Sequence, residues 1–159
     1  MQILQIQKND YDSVLALNEE SVPHVNLIGV GELQWFVDNA ACVRVAKDAD
    51  QLAGFLIGLR PGTEYASPNY RWFCDNYDDF AYVDRVIVAG WARRRGVAES
   101  LYETFGTSQS GTPVMTCEVN IRPSNEGSML FHQRMGFRQV SSQETDGGKK
   151  EVALMEKVL

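Results

Sequence analysis

The run Tyr82-Val83-Asp84-Arg85-Val86-Ile87-Val88 has the composition of a strand, and Glu99 to Phe105 is patterned as a helix. Between them stands Arg93-Arg94-Arg95-Gly96-Val97-Ala98. A strand that turns through a glycine-containing, arginine-rich loop into a helix builds an anion pocket. The first N–H groups of a helix lack intrahelical partners, and the helix dipole adds partial positive charge at the same end. Gly96 lets the backbone approach a phosphate, small Ala98 keeps the approach open, and arginines add charge-assisted bonds. The guest that suits such a pocket is a pyrophosphate-bearing cofactor. Neither Gly-x-Gly-x-x-Gly nor Gly-x-x-x-x-Gly-Lys-Ser/Thr occurs, so dinucleotide binding and NTP hydrolysis lose their usual motifs.

The chain of 159 residues is expected to form one domain, 1–159, with length enough for a proper core. Net charge is −6, which argues against nucleic-acid binding, because that affinity depends on neutralising phosphates. The same charge is compatible with a cationic, amine-type substrate. No apolar run approaches a membrane span, and the start Met1-Gln2-Ile3 lacks a secretory signal's regions, so a cytoplasmic protein is expected. Cys42, Cys74 and Cys117 lie far apart with no Cys-x-x-Cys. Reduced thiols are expected, buried at Cys42 and Cys117, and no metal.

Met1 to Ile6 reads as an edge strand, and Asn9-Asp10 caps a helix carrying Tyr11, Val14 and Leu15. Ser21-Val22-Pro23-His24 breaks it, and a second helix is predicted over Gly31 to Asn39. Ala41 to Ala46 and Leu52 to Leu59 form a hairpin around the polar Lys47 to Gln51. Arg60 to Asp79 reads as a long ordered connection rich in aromatics, which closes over something or meets another subunit in a homodimer. After the central strand and the phosphate loop, Gly106 is expected to stop the helix. Val114 to Asn120 is a strand, Pro123-Ser124-Asn125 opens a helix ending at Gly136-Phe137, and two strands close the chain, Phe137 to Val140 and Glu151 to Val158. Asp146-Gly147-Gly148-Lys149 supplies the turn between those strands.

The spacing Arg93-x-x-Gly96-x-Ala98 resembles the acetyl-CoA loop of the GNAT N-acetyltransferase superfamily, Gln/Arg-x-x-Gly-x-Gly/Ala. The later Asn125, position 132 and Gly136-Phe137 keep the spacing of that superfamily's ending, with His132 where Tyr is usual. Asn69 to Phe73, Tyr82 to Val86 and Cys117 to Asn120 look similar to a bacterial subgroup whose acceptor is unassigned. The resemblance implies an α/β (α+β) fold: a mixed, partly parallel sheet, splayed between its two central strands and flanked by helices. It implies acetyl-CoA as cofactor and transfer to a primary amine of a small molecule or peptide, without nucleic acid or membrane. By the same resemblance Val86, Ile87 and Val88 meet the pantetheine arm. Arg93, Arg94, Arg95, Gly96, Val97 and Ala98 hold the pyrophosphate, and Asn125, Ser128 and Phe131 face the cofactor.

Acetyl transfer to an amine of pKa about 10.4 faces a deprotonation cost of about 4–5 kcal/mol at pH 7. A proton acceptor therefore matters more than a donor. Glu118 is the one acidic side chain in an otherwise apolar or small strand run, and partial burial is what moves a carboxyl toward the useful range. The alternative for Glu118 is a structural carboxylate answering Arg85. Asp84 is the rival base, sharing a strand face with Tyr82, Val86 and Val88. His132 is the candidate acid, on a stripe with Asn125, Ser128 and Met129; helix packing is its alternative. Tyr70, Trp72 and Phe73 offer a cage for a cationic acceptor or else ordinary packing, and Tyr65, Asn69 and Tyr82 offer orienting bonds. A non-catalytic CoA-binding module is the second reading, motivated by the missing Tyr.

Overall fold

The computed structural model describes residues 1–159. Seven strands form one mixed sheet in the order β1-β2-β3-β4-β5-β7-β6, and the chain divides into two compact units, 1–59 with 85–110 and 60–84 with 111–159. Strand β4, Ala81–Val88, is the one element that runs through both.

In the first unit, β1 (Gln2–Gln5) is an edge strand, antiparallel to β2 (Cys42–Asp48), which pairs with β3 (Gln51–Leu59). The β2–β3 turn is tighter than expected, with only Ala49 and Asp50 outside the strands and Ala49 at φ 52°. Helix α1 (Tyr11–Glu20) buries Tyr11, Val14 and Leu17, and α2 (Val30–Asn39) buries Leu33 and Phe36. The expected side-chain cap at Asp10 is absent: its carboxylate accepts from the Gln7 N–H at 2.8 Å and pairs with Lys47.

Helix α4 (Val97–Ser108) starts at Val97 and runs through Gly106, which does not stop it. Leu101, Tyr102 and Phe105 are its buried face, and the chain reverses at Gly111, where φ is 90°. Two glycines of β3 set how closely its neighbours approach. A Cβ at Gly58 would meet the Phe105 ring at 2.4 Å, and one at Gly54 would meet the Ile87 carbonyl oxygen at 2.6 Å.

The second unit holds the other half of β4 and strands β5 (Val114–Arg122), β6 (Arg138–Thr145) and β7 (Lys150–Val158). Strand β5 runs parallel to β4 in the register Ala81↔Met115, Tyr82↔Thr116, Val83↔Cys117, and antiparallel to β7. Strand β6 continues to Thr145, five residues beyond the expectation. Its added residues, Ser-Ser-Gln-Glu-Thr, are polar because β6 is the far edge of the sheet. The turn falls at Asp146–Gly148, all three with positive φ.

The connection from Arg60 to Asp79 is not a loop. It contains helix α3, Pro68–Asn76, whose first turn is capped by the Ser67 hydroxyl accepting from the Tyr70 N–H at 3.4 Å. Ser-Pro at Ncap and N1 is a helix-start signal that the aromatic composition masked. Tyr70 and Phe73 pack with Phe80 and Tyr82 into an aromatic core.

Candidate active site

Strand β4 carries Tyr82 and Asp84 in its first half and leads at its end into the phosphate loop. Beyond Val88, a 3-10 turn at Gly90–Ala92 leads through Arg93, Arg94 and Arg95, all exposed, to Gly96 at φ 74°. Gly96 is the N-cap of α4, and no side chain caps the helix. The first intrahelical bond is Ser100 N–H to Gly96 O at 3.0 Å, so the N–H groups of Val97, Ala98 and Glu99 precede the ladder. A Cβ on Gly96 would meet nothing within 4 Å, so the space over this turn is open. Unused donors, open space and three cationic side chains make a donor set that fits a diphosphate.

The arginines are not equivalent. Arg94 holds φ 60°, left-handed backbone that costs a non-glycine residue about 1 kcal/mol or more. Arg95 pairs with Asp48 at 3.1 Å and lies over the Trp91 ring, 5.6 Å from its centroid. Val86 and Val88 are half-buried on one face of β4, whereas Ile87 is buried on the other. Arg85, also on the buried face, gives its guanidinium to Asn18 Oδ1 at 2.8 Å, Asn26 O at 3.2 Å and Asn26 Oδ1 at 2.7 Å.

In the second unit two carboxylates each meet a tyrosine. The Tyr82 phenol oxygen stands 2.8 and 2.7 Å from the two oxygens of Glu118, donating its proton across them. The Tyr65 hydroxyl donates to Asp84 Oδ1 at 2.6 Å. Tyr82 is fully buried, while Glu118 and Asp84 are half-buried. Burial pushes the Tyr82 phenol well above its ordinary range, and the charges of Glu118 and Asp84 push it the same way. It is therefore a donor, never a phenolate, at any ordinary pH. Glu118 thus has an orientation set by Tyr82 and keeps part of its surface within reach of solvent.

The other candidates divide. On α5 (Glu126–Arg134), Asn125 caps the helix by accepting from the Ser128 N–H at 3.4 Å, and Asn125, Ser128, Met129 and Phe131 are half-buried. His132 is only 4% exposed, between the rings of Phe131 and Phe137. Its Nδ1 lies 2.7 Å from the Ser128 carbonyl, an acceptor, which places the ring proton on Nδ1. Burial holds its pKa below the usual imidazole range. A sealed neutral ring whose proton already serves a carbonyl fits the packing alternative rather than a proton donor.

The aromatic cage does not assemble either. Tyr70 and Phe73 are sealed in the core, and the Tyr70 hydroxyl donates to Arg60 O at 2.6 Å while accepting from the Thr63 N–H at 3.1 Å. Trp72 is half-buried, edge-on to Phe73. Sequence reasoning gave Tyr65 only a general orienting role. It lines a cavity of about 610 Å³ beside α3, with Glu64, Arg71, Cys74 and Asp75, and it also holds Asp84. No local signal pairs it with Asp84, nineteen positions away.

The three cysteines are free, Cys42 and Cys117 buried and Cys74 exposed. No helix is long and apolar enough to cross a membrane, and no group of three metal-binding side chains is present.

Comparison with known proteins adds the following. The chain resembles Naa20 of Chaetomium thermophilum, solved with a bisubstrate analogue, at 18% identity and TM-score 0.79, covering 100% of this chain and 87% of that one. It resembles the ribosomal-protein-alanine N-acetyltransferase of Brucella melitensis at 18% identity and TM-score 0.74, covering 100% of both. The protein smu.2055 of Streptococcus mutans UA159 is similar at 18% identity and TM-score 0.77, covering 99% of each chain. At such identities the likeness is one of fold. No curated protein matches the sequence significantly. The family model described as the Acetyltransferase (GNAT) family matches residues 2–137, most of the chain, and the protein is therefore an acetyltransferase of the GNAT family.

Proposed function

We propose that the protein is an acetyl-CoA-dependent N-acetyltransferase that moves an acetyl group directly to a primary amine, with Glu118 as the proton acceptor. We read 1–159 as one catalytic domain working in the cytoplasm, where its three free cysteines stay reduced. The observation that carries the reading is the carboxylate of Glu118, half-buried and fixed by the Tyr82 phenol one strand from β4, the strand that leads into the phosphate loop.

Each residue then has a physical task. The N–H groups of Val97 to Glu99 and the side chains of Arg93 and Arg94 hold the diphosphate. Half-buried Val86 and Val88 line the path of the pantetheine, which their backbone groups meet. When bound, acetyl-CoA supplies the acyl group already activated as a thioester. Glu118 accepts, directly or through a water, the proton that the acceptor nitrogen must shed; at pH 7 that deprotonation costs about 4–5 kcal/mol for a lysine-like amine and about 1 kcal/mol for a peptide α-amine. Tyr82 keeps the carboxylate aimed, and the Asp84–Tyr65 pair adds negative charge that favours a cationic acceptor. Cys117, the thiol beside Glu118 in sequence, is buried, which removes it as an acyl-enzyme nucleophile.

The acceptor is a small-molecule or peptide amine. A solved structure of similar fold is named a ribosomal-protein-alanine N-acetyltransferase, which puts peptide α-amines first in any panel. His132 favours a second reading, a CoA-binding module without catalysis, because its buried ring leaves α5 without the donor usual at that position.

The test is a panel of peptide and small-molecule amines with acetyl-CoA, read as free thiol, on the natural protein and on Glu118→Gln and Asp84→Asn. Transfer that collapses in Glu118→Gln and survives in Asp84→Asn supports the proposal. The reverse pattern makes Asp84 the base. Tight CoA binding with no thiol release from any amine establishes the module instead.

A further inference from the structure

The cavity of about 610 Å³ beside α3 has Glu64, Tyr65, Tyr70, Arg71, Cys74 and Asp75 on its walls, and the mechanism above gives it no task. Tyr65 ties it to the carboxylates of the site, because this wall residue donates its hydroxyl proton to Asp84 Oδ1 at 2.6 Å. The Tyr65 ring meets Tyr70 with centroids 5.6 Å apart, and Tyr70 meets Tyr82 at 5.4 Å. The cavity and the Glu118–Tyr82 pair are therefore neighbours along one row of rings. The charge of the walls is one-sided. Glu64 and Asp75 are exposed carboxylates, and Arg71 is the one cationic side chain. Asp75 stands in the last turn of α3, at the negative end of the helix dipole, and that turn holds no basic side chain. A carboxylate there is disfavoured by itself and is relieved by a cation from outside. Arg71 does not relieve it: it precedes Asp75 by four positions, the weaker order for a helical pair, and no ion pair joins them.

Resting on the N-acetyltransferase reading, we propose that this cavity is the second half of the acceptor site and that the acceptor carries a second cationic group. The reacting amine lies at Glu118 and Asp84, the body of the acceptor passes the Tyr65 ring, and Asp75 and Glu64 hold the distal cation. Tyr65 is a positioning residue, which fixes Asp84 and walls the path. Two ammonium groups on one flexible chain meet this description, whether in a free α,ω-diamine or in a peptide whose α-amine neighbours a lysine side chain.

Cadaverine, hexylamine and aminocaproate are amines of similar length that end in an ammonium, a methyl and a carboxylate. Their kcat/KM values, read as thiol release from acetyl-CoA, test the proposal, and Ala-Lys amide against Ala-norleucine amide puts the same contrast on a peptide. The dicationic member of a pair is expected to lead by about five- to tenfold in dilute buffer, after correction for equivalent ends, and by less in high salt. Asp75→Asn and Glu64→Gln each lower that ratio, and the double variant brings it near one. Alkylation of Cys74 reads occupancy without turnover, since Cys74 is exposed on the cavity wall while Cys42 and Cys117 are buried; cadaverine should slow it and hexylamine should not. A preference in either pair that the double variant abolishes supports the subsite and tells a free diamine from a peptide. No preference in both pairs, or one that the double variant leaves intact, overturns it. Aminocaproate as the best acceptor also overturns it and makes Arg71 the reader of an anion. If no amine releases thiol while cadaverine still protects Cys74, the transfer reading fails and the cavity stands as a dication site; with neither effect, both fail.

Discussion

The hydroxyl of Tyr82 sits 2.8 and 2.7 Å from the two carboxylate oxygens of Glu118, although 36 positions separate the residues. The tyrosine is fully buried and the glutamate half-buried, so a core phenol orients a carboxylate that solvent partly reaches. A carboxylate held in this way keeps its orientation while it accepts a proton. Its partner cannot compete for that proton, because its own pKa lies far above the working range.

Glu118→Gln keeps shape and the ability to accept from Tyr82 but removes basicity. Thiol release at neutral pH should fall about 10²–10⁴-fold, with the melting temperature close to that of the natural protein. A rate within threefold of the natural one would remove Glu118 from the mechanism.

Tyr82→Phe leaves Glu118 without its orienting donor, and a rate loss of about tenfold is expected at neutral pH. The same variant has an alkaline signature. The folded-state pKa of Tyr82 is raised above the unfolded value of about 10, so its contribution to stability is complete below pH 10 and declines as pH rises toward the folded value. Urea titrations between pH 9 and 11 should show a steeper decline for the natural protein than for Tyr82→Phe.

His132 behaves in the opposite sense. Burial depresses its pKa, so the stability gained by keeping it neutral is present above the unfolded value of about 6.5 and is lost as pH falls toward the folded value. His132→Phe should flatten the fall in urea midpoint between pH 7 and 5.5. Parallel curves for the two proteins would show that the ring is not the group responsible.

Gly54→Ala and Gly96→Ala separate crowding from backbone strain. A Cβ at Gly54 meets the Ile87 carbonyl at 2.6 Å, a backbone atom that cannot swing aside, so a loss of about 1–3 kcal/mol is expected. At Gly96 nothing lies within 4 Å and only φ 74° is strained, so about 1 kcal/mol is expected. Gly96→Ala should in addition weaken CoA, while Gly54→Ala should act through stability. Thermal melts with and without CoA distinguish them.

Arg85→Lys is not a conservative change here. Two guanidinium nitrogens divide Asn18 Oδ1, Asn26 O and Asn26 Oδ1 between them, a spread that the one nitrogen of an ammonium does not reproduce, and about 1–3 kcal/mol of stability should be lost. Chemical denaturation gives the value directly.

Elements with local signals were legible. Alternation along β4 correctly separated Arg85 and Ile87 from Asp84, Val86 and Val88, and Asn125 caps α5 through its side chain. Two signals were misread. Ser67-Pro68 starts a helix inside what read as a connection, and Gly106 lies within α4 because packing of Leu101 and Phe105 outweighs a glycine's cost of about 1 kcal/mol. The aromatic group of α3 read as either a ligand cage or ordinary packing, since composition does not say which rings are buried; Tyr70 and Phe73 are.

From its order of residues alone the chain determined the glycine turn after β4, the cationic loop and the helix starts, because these depend on neighbours a few positions away. Which side chains would meet was decided in three dimensions. Tyr82 reaches Glu118 across the parallel register of β4 and β5, Tyr65 reaches Asp84 from the approach to α3, and Arg85 reaches Asn18 some 67 positions back. Period-2 alternation sets the face a strand residue takes, but strand order and register choose its partner. Those are set by the burial of the whole sheet rather than by any short stretch of it.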